Sequence, residues 1–179
     1  MIELKPLDVV VAVMAAAIEP ADWTIAAMAE ALGVSSSQAF RSAQQAAAVG
    51  FLHAERAGRR VTHRVHRAPL IEFLTHGVRY AFVPEHGRLT RGVPTAHAAP
   101  VLASHFRATD AAVPVWSHPA GTVRGESLEP LHRCVPDAAL RQPRFYEVMA
   151  LIDALRTGRA RDRAIAADLL PRSLGVDAR

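Results

Sequence analysis

Apolar positions near the start of the chain recur with helical spacing. Pro6 suits a first helical turn and Asp8 complements a helix N-terminus, so a helix is predicted over 4–17. A spacing of three and four residues places the apolar side chains on one buried face. The members of that face are Leu7, Val10, Val11, Met14 and Ile18.

Two short helices joined by a tight turn are predicted between Thr24 and Gly50. Thr24 can cap the first of them, and Gly33 can end it in the left-handed conformation. Ser35 and the two serines after it offer caps for the second helix. Its predicted inward positions are Ala39, Phe40, Ala43 and Ala47, with Val49 at the end. Its predicted outward positions are Gln38, Arg41, Ser42, Gln44 and Gln45.

Alternation replaces helical spacing directly after the second helix. Residues 51–56 and 59–67 contain the alternation of half-buried strands, and Gly58 suits the turn between them, so a β-hairpin is predicted. Between Arg41 and Arg67 the chain has six arginines and one acidic residue, a net charge of +5, against +4 for all 179 residues. Basic side chains beside an exposed polar helix favour contact with nucleic-acid phosphates.

These features resemble the winged helix-turn-helix domain of bacterial transcriptional regulators of the MarR or ArsR type. The resemblance covers residues 4 to about 66 and rests on Leu-Gly-Val-Ser at 32–35, the Ala-rich helix, Val-Gly-Phe-Leu at 49–52 and the Arg-rich hairpin. It implies that the helix at 36–48 enters the major groove and that the wing at 51–66 meets the backbone or minor groove. The long N-terminal dimerisation helix of MarR proteins is missing here.

Two sets of residues follow as DNA contacts. Gln can pair with adenine, Arg with guanine, and Ser can reach bases or phosphates. The predicted base contacts are Ser36, Ser37, Gln38, Arg41, Ser42 and Gln45. The predicted contacts to the DNA backbone are Thr24, Arg56, Arg59, Arg60, His63 and Arg64.

The second half of the chain is predicted to be an irregular, Pro-rich and helical extension. A helix over 69–82 comes first, with Gly77 inside it, and prolines and glycines then punctuate 83–136. In that stretch only a helical turn at 96–106, capped by Thr95, and a strand at 113–117 are expected. One turn at 137–140 and helices over 143–157 and 159–170 follow, with Asp153 and Arg156 outward and a frayed tail from Pro171.

The predicted fold is therefore mainly α with a small β-hairpin. Its predicted domains are a winged helix-turn-helix at 1–67 and a region at 68–179 for dimerisation or for binding a partner or ligand. The role of the Pro-rich region within 83–136 stays open between a partner surface, a ligand pocket and a wrapped extension.

Composition and spacing argue against an enzyme and against a membrane protein. The single cysteine, Cys134, allows no internal disulfide and fits a reducing cytoplasm, and residues 9–18 form too short an apolar run to span a bilayer. A reactive Cys134 beside Arg133 and His132 is the minor alternative to an inert core thiol. The nine histidines lack metal-ligand spacing, so no metal and no cofactor is predicted; His86, His97 and His118 would be the candidates.

Two functions from different classes remain. The first is a sequence-specific double-stranded DNA-binding regulator, an autoregulating repressor that acts as a homodimer. The second is an antitoxin-like protein whose region 69–170 binds and neutralises a partner protein while the winged helix represses its own operon. The second hypothesis rests on a likeness of layout to antitoxins of nucleotidyltransferase-type toxins, with no motif in residues 83–170 to carry it.

Arg59 and Arg60 provide a test of the predicted wing. Replacing either by Ala should weaken binding to all duplexes alike, because a phosphate contact carries no sequence information. The dependence of log K on log salt should flatten by about one unit for each lost contact. Anisotropy titrations over a salt series measure both quantities, and a loss confined to one sequence would contradict the assignment.

Overall fold

The computed structural model describes residues 3–18, 23–57, 60–106 and 113–176, and within them the protein is mainly helical. The helices are α1 (Pro6–Ile18), α2 (Ile25–Leu32), α3 (Ser36–Ala48), α4 (Arg67–His76), α5 (Val78–Ala81), α6 (Pro100–Ala103), α7 (Val135–Arg141), α8 (Pro143–Thr157) and α9 (Ala160–Ser173), with a 3₁₀ turn at Ala96–Ala98. The strands are β1 (Leu52–Ala57), β2 (Arg60–Val65), β3 (His86–Pro94), β4 (Pro114–Ser117) and β5 (Val123–Leu128).

Helix α1 lies at the centre of the molecule. Its side chains are buried on every side from Leu7 to Ala16, although the spacing predicted a single buried face. The cause is that α1 packs against α2 and α3 on one side and against α8 on another. A helix that is apolar all round is stable only in such an enclosed position.

The hydrophobic core is continuous from Leu7 to Leu174. It includes side chains from both sides of the predicted boundary at residue 67, for example Val65 and Leu70. Helix α4 begins at Arg67, directly at that boundary. The described residues therefore share one core, and the division into two domains stays a prediction.

The predicted pairing after α3 is confirmed. Strands β1 and β2 are antiparallel, with Leu52 opposite Val65 and Ala54 opposite His63. These positions belong to the alternating set in the sequence, and the buried Leu52 and Val65 attach the pair to the core. Gly58, the predicted turn residue, lies outside the described residues.

The stretch that the sequence indicated as irregular contains a closed three-stranded barrel. Strand β3 pairs antiparallel with both β4 and β5, and β4 pairs parallel with β5. Only β4 and the helical turns near residue 100 were predicted. Glycines make the tight closure feasible: a Cβ at Gly92 would collide with the carbonyl oxygen of Trp116, and one at Gly125 with that of Val113.

Two helix boundaries in the second half differ from the prediction. The predicted helix over 69–82 is broken at Gly77, which ends α4 before α5 begins. The prediction of a frayed tail from Pro171 is wrong for the first residues of that segment. Helix α9 continues through Pro171 to Ser173, and Leu174 is fully buried. The Nε of Arg67 donates to the carbonyl oxygen of Leu174 at 2.6 Å, which attaches the end of α9 to the start of α4.

A buried ion pair joins α8 to the barrel. Asp153 and Arg156, both predicted to face outward, are 0% and 9% exposed, so that prediction was wrong. One carboxylate oxygen of Asp153 lies 2.7 Å from Nη1 of Arg156. The other accepts hydrogen bonds from Trp116 Nε1 at 2.6 Å and from Thr95 Oγ1 at 2.8 Å.

The same ion pair accounts for two further features. The Thr95 hydroxyl makes no cap bond, contrary to the prediction, because it donates to Asp153, and the next residue, Ala96, has a φ of 48°. Burial raises the pKa of Asp153 above its ordinary value. The charge of Arg156 and the hydrogen bonds from Thr95, Arg156 and Trp116 act in the opposite direction and offset part of this rise. In the described part of the chain, no helix is long and apolar enough to cross a membrane.

Removal of the Asp153 carboxylate should be strongly destabilising. Asp153→Ala leaves the Arg156 guanidinium buried without its counter-ion, which costs about 3–5 kcal/mol. The double variant Asp153→Ala, Arg156→Met removes both charges and should lose less. Urea denaturation measures the free energy of unfolding of both variants. A single variant that is no less stable than the double variant would contradict the role of the pair.

Candidate nucleic-acid interface

Local hydrogen bonds determine where α2 and α3 begin and end. Thr24 Oγ1 accepts from the backbone N–H of Ala27 at 3.1 Å, and Gly33 ends α2 with a φ of 65°. Ser35 Oγ accepts from Gln38 N at 3.2 Å, and Gln38 Oε1 accepts from Ser35 N at 3.1 Å. This reciprocal capping box satisfies two N–H groups at the start of α3. The two predicted helices and the turn between them are confirmed.

The buried face of α3 is made of small side chains. Ala39, Ala43 and Ala46 are completely buried, and α1 and α2 both pack against α3. Ser42 is 5% exposed, because it lies three residues after Ala39 on the same face, so its prediction as an outward base contact was wrong. Phe40 was predicted inward and is 48% exposed. The side chains that α3 buries are therefore only Ala and Ser, and the aromatic ring predicted among them lies outside.

Apart from Phe40 and Ala48, the outward face of α3 is polar, and it carries no acidic residue. Ser36, Ser37 and Arg41 are exposed as predicted, and the Arg41 Nε donates to the carbonyl oxygen of Ser37 at 3.3 Å. Gln38 and Gln45 are half-buried, and the side-chain oxygen of Gln38 is engaged in the capping box. These residues therefore flank the exposed face.

Gln44 is exposed, although it was not among the predicted base contacts. The sequence could have identified Gln44 as a face residue, because it lies seven residues after Ser37 and three after Arg41. That spacing places the three side chains on the same face of a helix. Ser37, Arg41 and Gln44 together form the polar centre of the exposed face.

The predicted contacts on β1 and β2 are described only in part. Backbone pairing places Arg56 opposite Val61 and Arg60 opposite Ala57. Arg59, together with the side chains of Arg56 and Arg60, lies outside the described residues. Arg64 is half-buried and pairs across the strands with His53. Contact of these arginines with phosphate stays a prediction.

The ring of His63 packs against the ring of Trp23. The two rings stack with centroids 5.5 Å apart and planes inclined by 20°. Burial lowers the pKa of His63 below its ordinary value of 6.5, so the ring is neutral at neutral pH. A contact from His63 to a DNA phosphate would therefore be a neutral hydrogen bond. The Nε1 of Trp23 has no hydrogen-bond partner in the described structure, which costs about 1–3 kcal/mol for a buried donor.

A groove of about 910 Å³ lies between α3, the start of α2 and the paired strands β1 and β2. Phe40 and Gln44 belong both to its wall and to the exposed side of α3. Among the described residues, the lining is Trp23, Thr24, Ile25, Phe40, Gln44, Ala47, Ala48, Ala54, Thr62 and His63.

The Cys134 thiol lies in the core. Cys134 is buried with its Sγ 3.0 Å from Nδ1 of His132, and burial raises the pKa of Cys134 to about 12. The alternative of a reactive Cys134 with a lowered pKa was wrong, and the thiol stays protonated at neutral pH.

The three metal candidates have separate partners. His86 Nδ1 lies 3.5 Å from Glu126, and His97 makes an edge contact with Phe106. His118 Nε2 lies 2.9 Å from Asp137 Oδ1. Among the described residues, no group of three or more His, Cys, Asp or Glu side chains could hold a metal ion.

Comparison with protein-family models, with curated proteins and with solved structures finds no match to this chain.

Acidification tests the environment of His63. Its pKa in the folded protein is below 6.5, so the unfolded chain binds more protons as the pH falls through that value. The free energy of unfolding should therefore fall on acidification, and by more in the native protein than in His63→Gln. Urea denaturation at about pH 7.5 and about pH 5 measures the difference. Equal losses in the two proteins would contradict the buried neutral state of His63.

Proposed function

We propose that the protein is a sequence-specific double-stranded DNA-binding transcriptional regulator that represses its own operon. Helix α3 would enter the major groove, and β1 and β2 would lie as a wing against the backbone or the minor groove. The supporting observation is the exposed polar face of α3, which has Arg41 at its centre and no acidic residue.

The order and contacts of the elements support the same function. Helices α2 and α3 are joined by the short turn at Gly33, and an antiparallel pair of strands follows α3 directly. A winged helix-turn-helix uses this order to hold one helix outward while the other crosses the DNA backbone. Helix α1 completes the three-helix core that such a domain needs.

Each exposed side chain has a distinct role in the proposed complex. Arg41 would pair with guanine and Gln44 with adenine, through two hydrogen bonds each. Ser36 and Ser37, at the start of α3, would contact bases or phosphates. Thr24 lies at the N-terminus of α2, where backbone N–H groups and the helix dipole favour a phosphate.

A homodimer on a palindromic site is the proposed assembly. Two copies related by a two-fold axis would place two α3 helices in successive major grooves, about 34 Å apart. We propose the cytoplasm as the compartment, in agreement with the single buried Cys134.

A second candidate function is the binding of a partner protein, as in an autoregulating antitoxin. Three large apolar side chains within ten residues of chain are strongly exposed in the second half, namely Tyr80 at 75%, Val83 at 73% and Leu89 at 64%. Exposed apolar side chains that form a contiguous patch are typical of protein contact sites, and these three positions are candidates for such a patch. Co-expression with the product of a neighbouring toxin-like gene tests this function, and a triple Ser variant at the three positions should then fail to relieve toxicity.

Replacement of Arg41 tests the proposed DNA contact. Arg41→Ala should relax base preference at one position of the preferred site, with a loss of about 1–3 kcal/mol for that sequence and little change for random duplex. Selection from a random duplex pool, followed by anisotropy titration, measures both. Arg172→Ala removes the same charge from an exposed position on α9 and is the matched control. Equal weakening of all sequences by Arg41→Ala would show that α3 does not read the bases.

A further inference from the structure

A cleft of about 290 Å³ lies between α9 on one side and the end of α4 with α5 on the other. Basic residues belong to both walls, with His76 and Arg79 on one and Arg163 on the other. The almost completely buried Leu155 of α8 adds apolar surface to the lining. No acidic residue is among the described lining residues, so the cleft has the composition of an anion site.

Neither arginine of the cleft is paired with a carboxylate. The acidic residues of the three helices are Glu72, Asp162 and Asp168, and none of them is among the described lining residues. Within the described residues, no carboxylate lies at ion-pair distance from Arg79 or Arg163. Two like charges that share a cleft repel each other, so an anion between them would lower the electrostatic energy.

The local contacts of both guanidinium groups leave N–H donors available. The Cζ of Arg79 lies 5.0 Å from the centroid of the Tyr80 ring, a cation–π contact that needs none of the N–H groups. The Nη1 of Arg163 donates to the carbonyl oxygen of Gly158 at 2.6 Å, which holds this side chain at the start of α9. A guanidinium has several donors arranged as a fork, so each arginine keeps donors for a bound group.

We propose that this cleft binds the phosphate group of a small molecule. Arginine suits this group because its planar fork can make two parallel hydrogen bonds to phosphate oxygens, and two arginines match two negative charges. Thr75 and His76 line the same wall and can supply further hydrogen bonds. Free phosphate and a phosphate monoester share this chemistry. The ring of Tyr80 and the apolar surface of Leu155 favour a monoester with a small apolar body.

Phenyl phosphate, which joins a phosphate monoester to one ring, is the probe for the first experiment. Proton–nitrogen correlation spectra of the whole protein are recorded as it is added at constant ionic strength. The backbone signals of 75–80 and 160–167 should shift in a saturable way, because these segments line the cleft. Benzoate has the same ring with a single negative charge, and it should bind about tenfold more weakly.

Inorganic phosphate separates the two sources of the bound group. It should shift the same signals as phenyl phosphate. Weaker binding of inorganic phosphate than of phenyl phosphate would assign the site to a monoester, and equal or tighter binding would assign it to free phosphate.

Variants at Arg79 test whether the cleft itself holds the phosphate group. Arg79→Gln should weaken phenyl phosphate about tenfold, because a charged donor is lost. Arg79→Lys keeps the charge without the fork and should weaken it by less. Arg161→Gln is the matched control, because Arg161 is exposed on α9, two residues from Arg163, and is not among the described lining residues. It should change the affinity by less than about twofold, since salt screens an exposed charge outside the cleft.

Three outcomes of these titrations would overturn the inference. They are no saturable shift in either segment, equal binding of benzoate and phenyl phosphate, and equal weakening by Arg79→Gln and Arg161→Gln. A random DNA duplex is then added as a competitor and should leave the probe in place, because none of the described lining residues belongs to α3, β1 or β2. Displacement of the probe would also overturn the inference, since the cleft would then belong to a DNA-binding surface.

Discussion

The buried carboxylate of Asp153 and its partner Arg156 join helix α8 to the barrel and to the end of α5. The carboxylate accepts hydrogen bonds from Thr95 and Trp116 and pairs with Arg156, whose Nε donates to the carbonyl oxygen of Phe82 at 2.8 Å. A buried charge is tolerated only when it is paired in this way. Helix α8, the barrel and the end of α5 must therefore adopt their positions together. Helix α8 also packs against α1, and α1 packs against α3. The exposed helix α3 is therefore attached to the same core.

Elements with a local signal could be predicted from the sequence. The bounds of α8 coincide with the prediction, because Pro143 begins the helix and Gly158 ends it. The turn between α2 and α3 was equally accessible, since Thr24, Gly33 and Ser35 make their cap contacts within four residues of themselves. The pairing of β1 with β2 followed from the alternation of apolar residues.

Contacts between distant parts of the chain could not be predicted. The charges of Asp153 and Arg156 indicate an exposed surface unless their partners, 37 or more residues away in Thr95 and Trp116, are known. Strands β3 and β5 are rich in polar residues and glycine, because a three-stranded barrel has little interior to fill. On α3, Ser42 is buried and Phe40 is exposed because the packing of α1 and α2 decides which face of the helix is covered. The sequence therefore indicated the candidate surface, whereas the structure shows which of its side chains are accessible.

Binding of the protein to its own upstream DNA is the most direct test of the proposed function. Fluorescence anisotropy would compare that duplex with a scrambled one of the same composition over a range of salt. We expect a clear preference for the upstream sequence, together with a steep loss of affinity as salt rises, because the proposed complex has both base and phosphate contacts. No binding to either duplex, or equal binding to both, would contradict the central claim that α3 reads a specific DNA sequence.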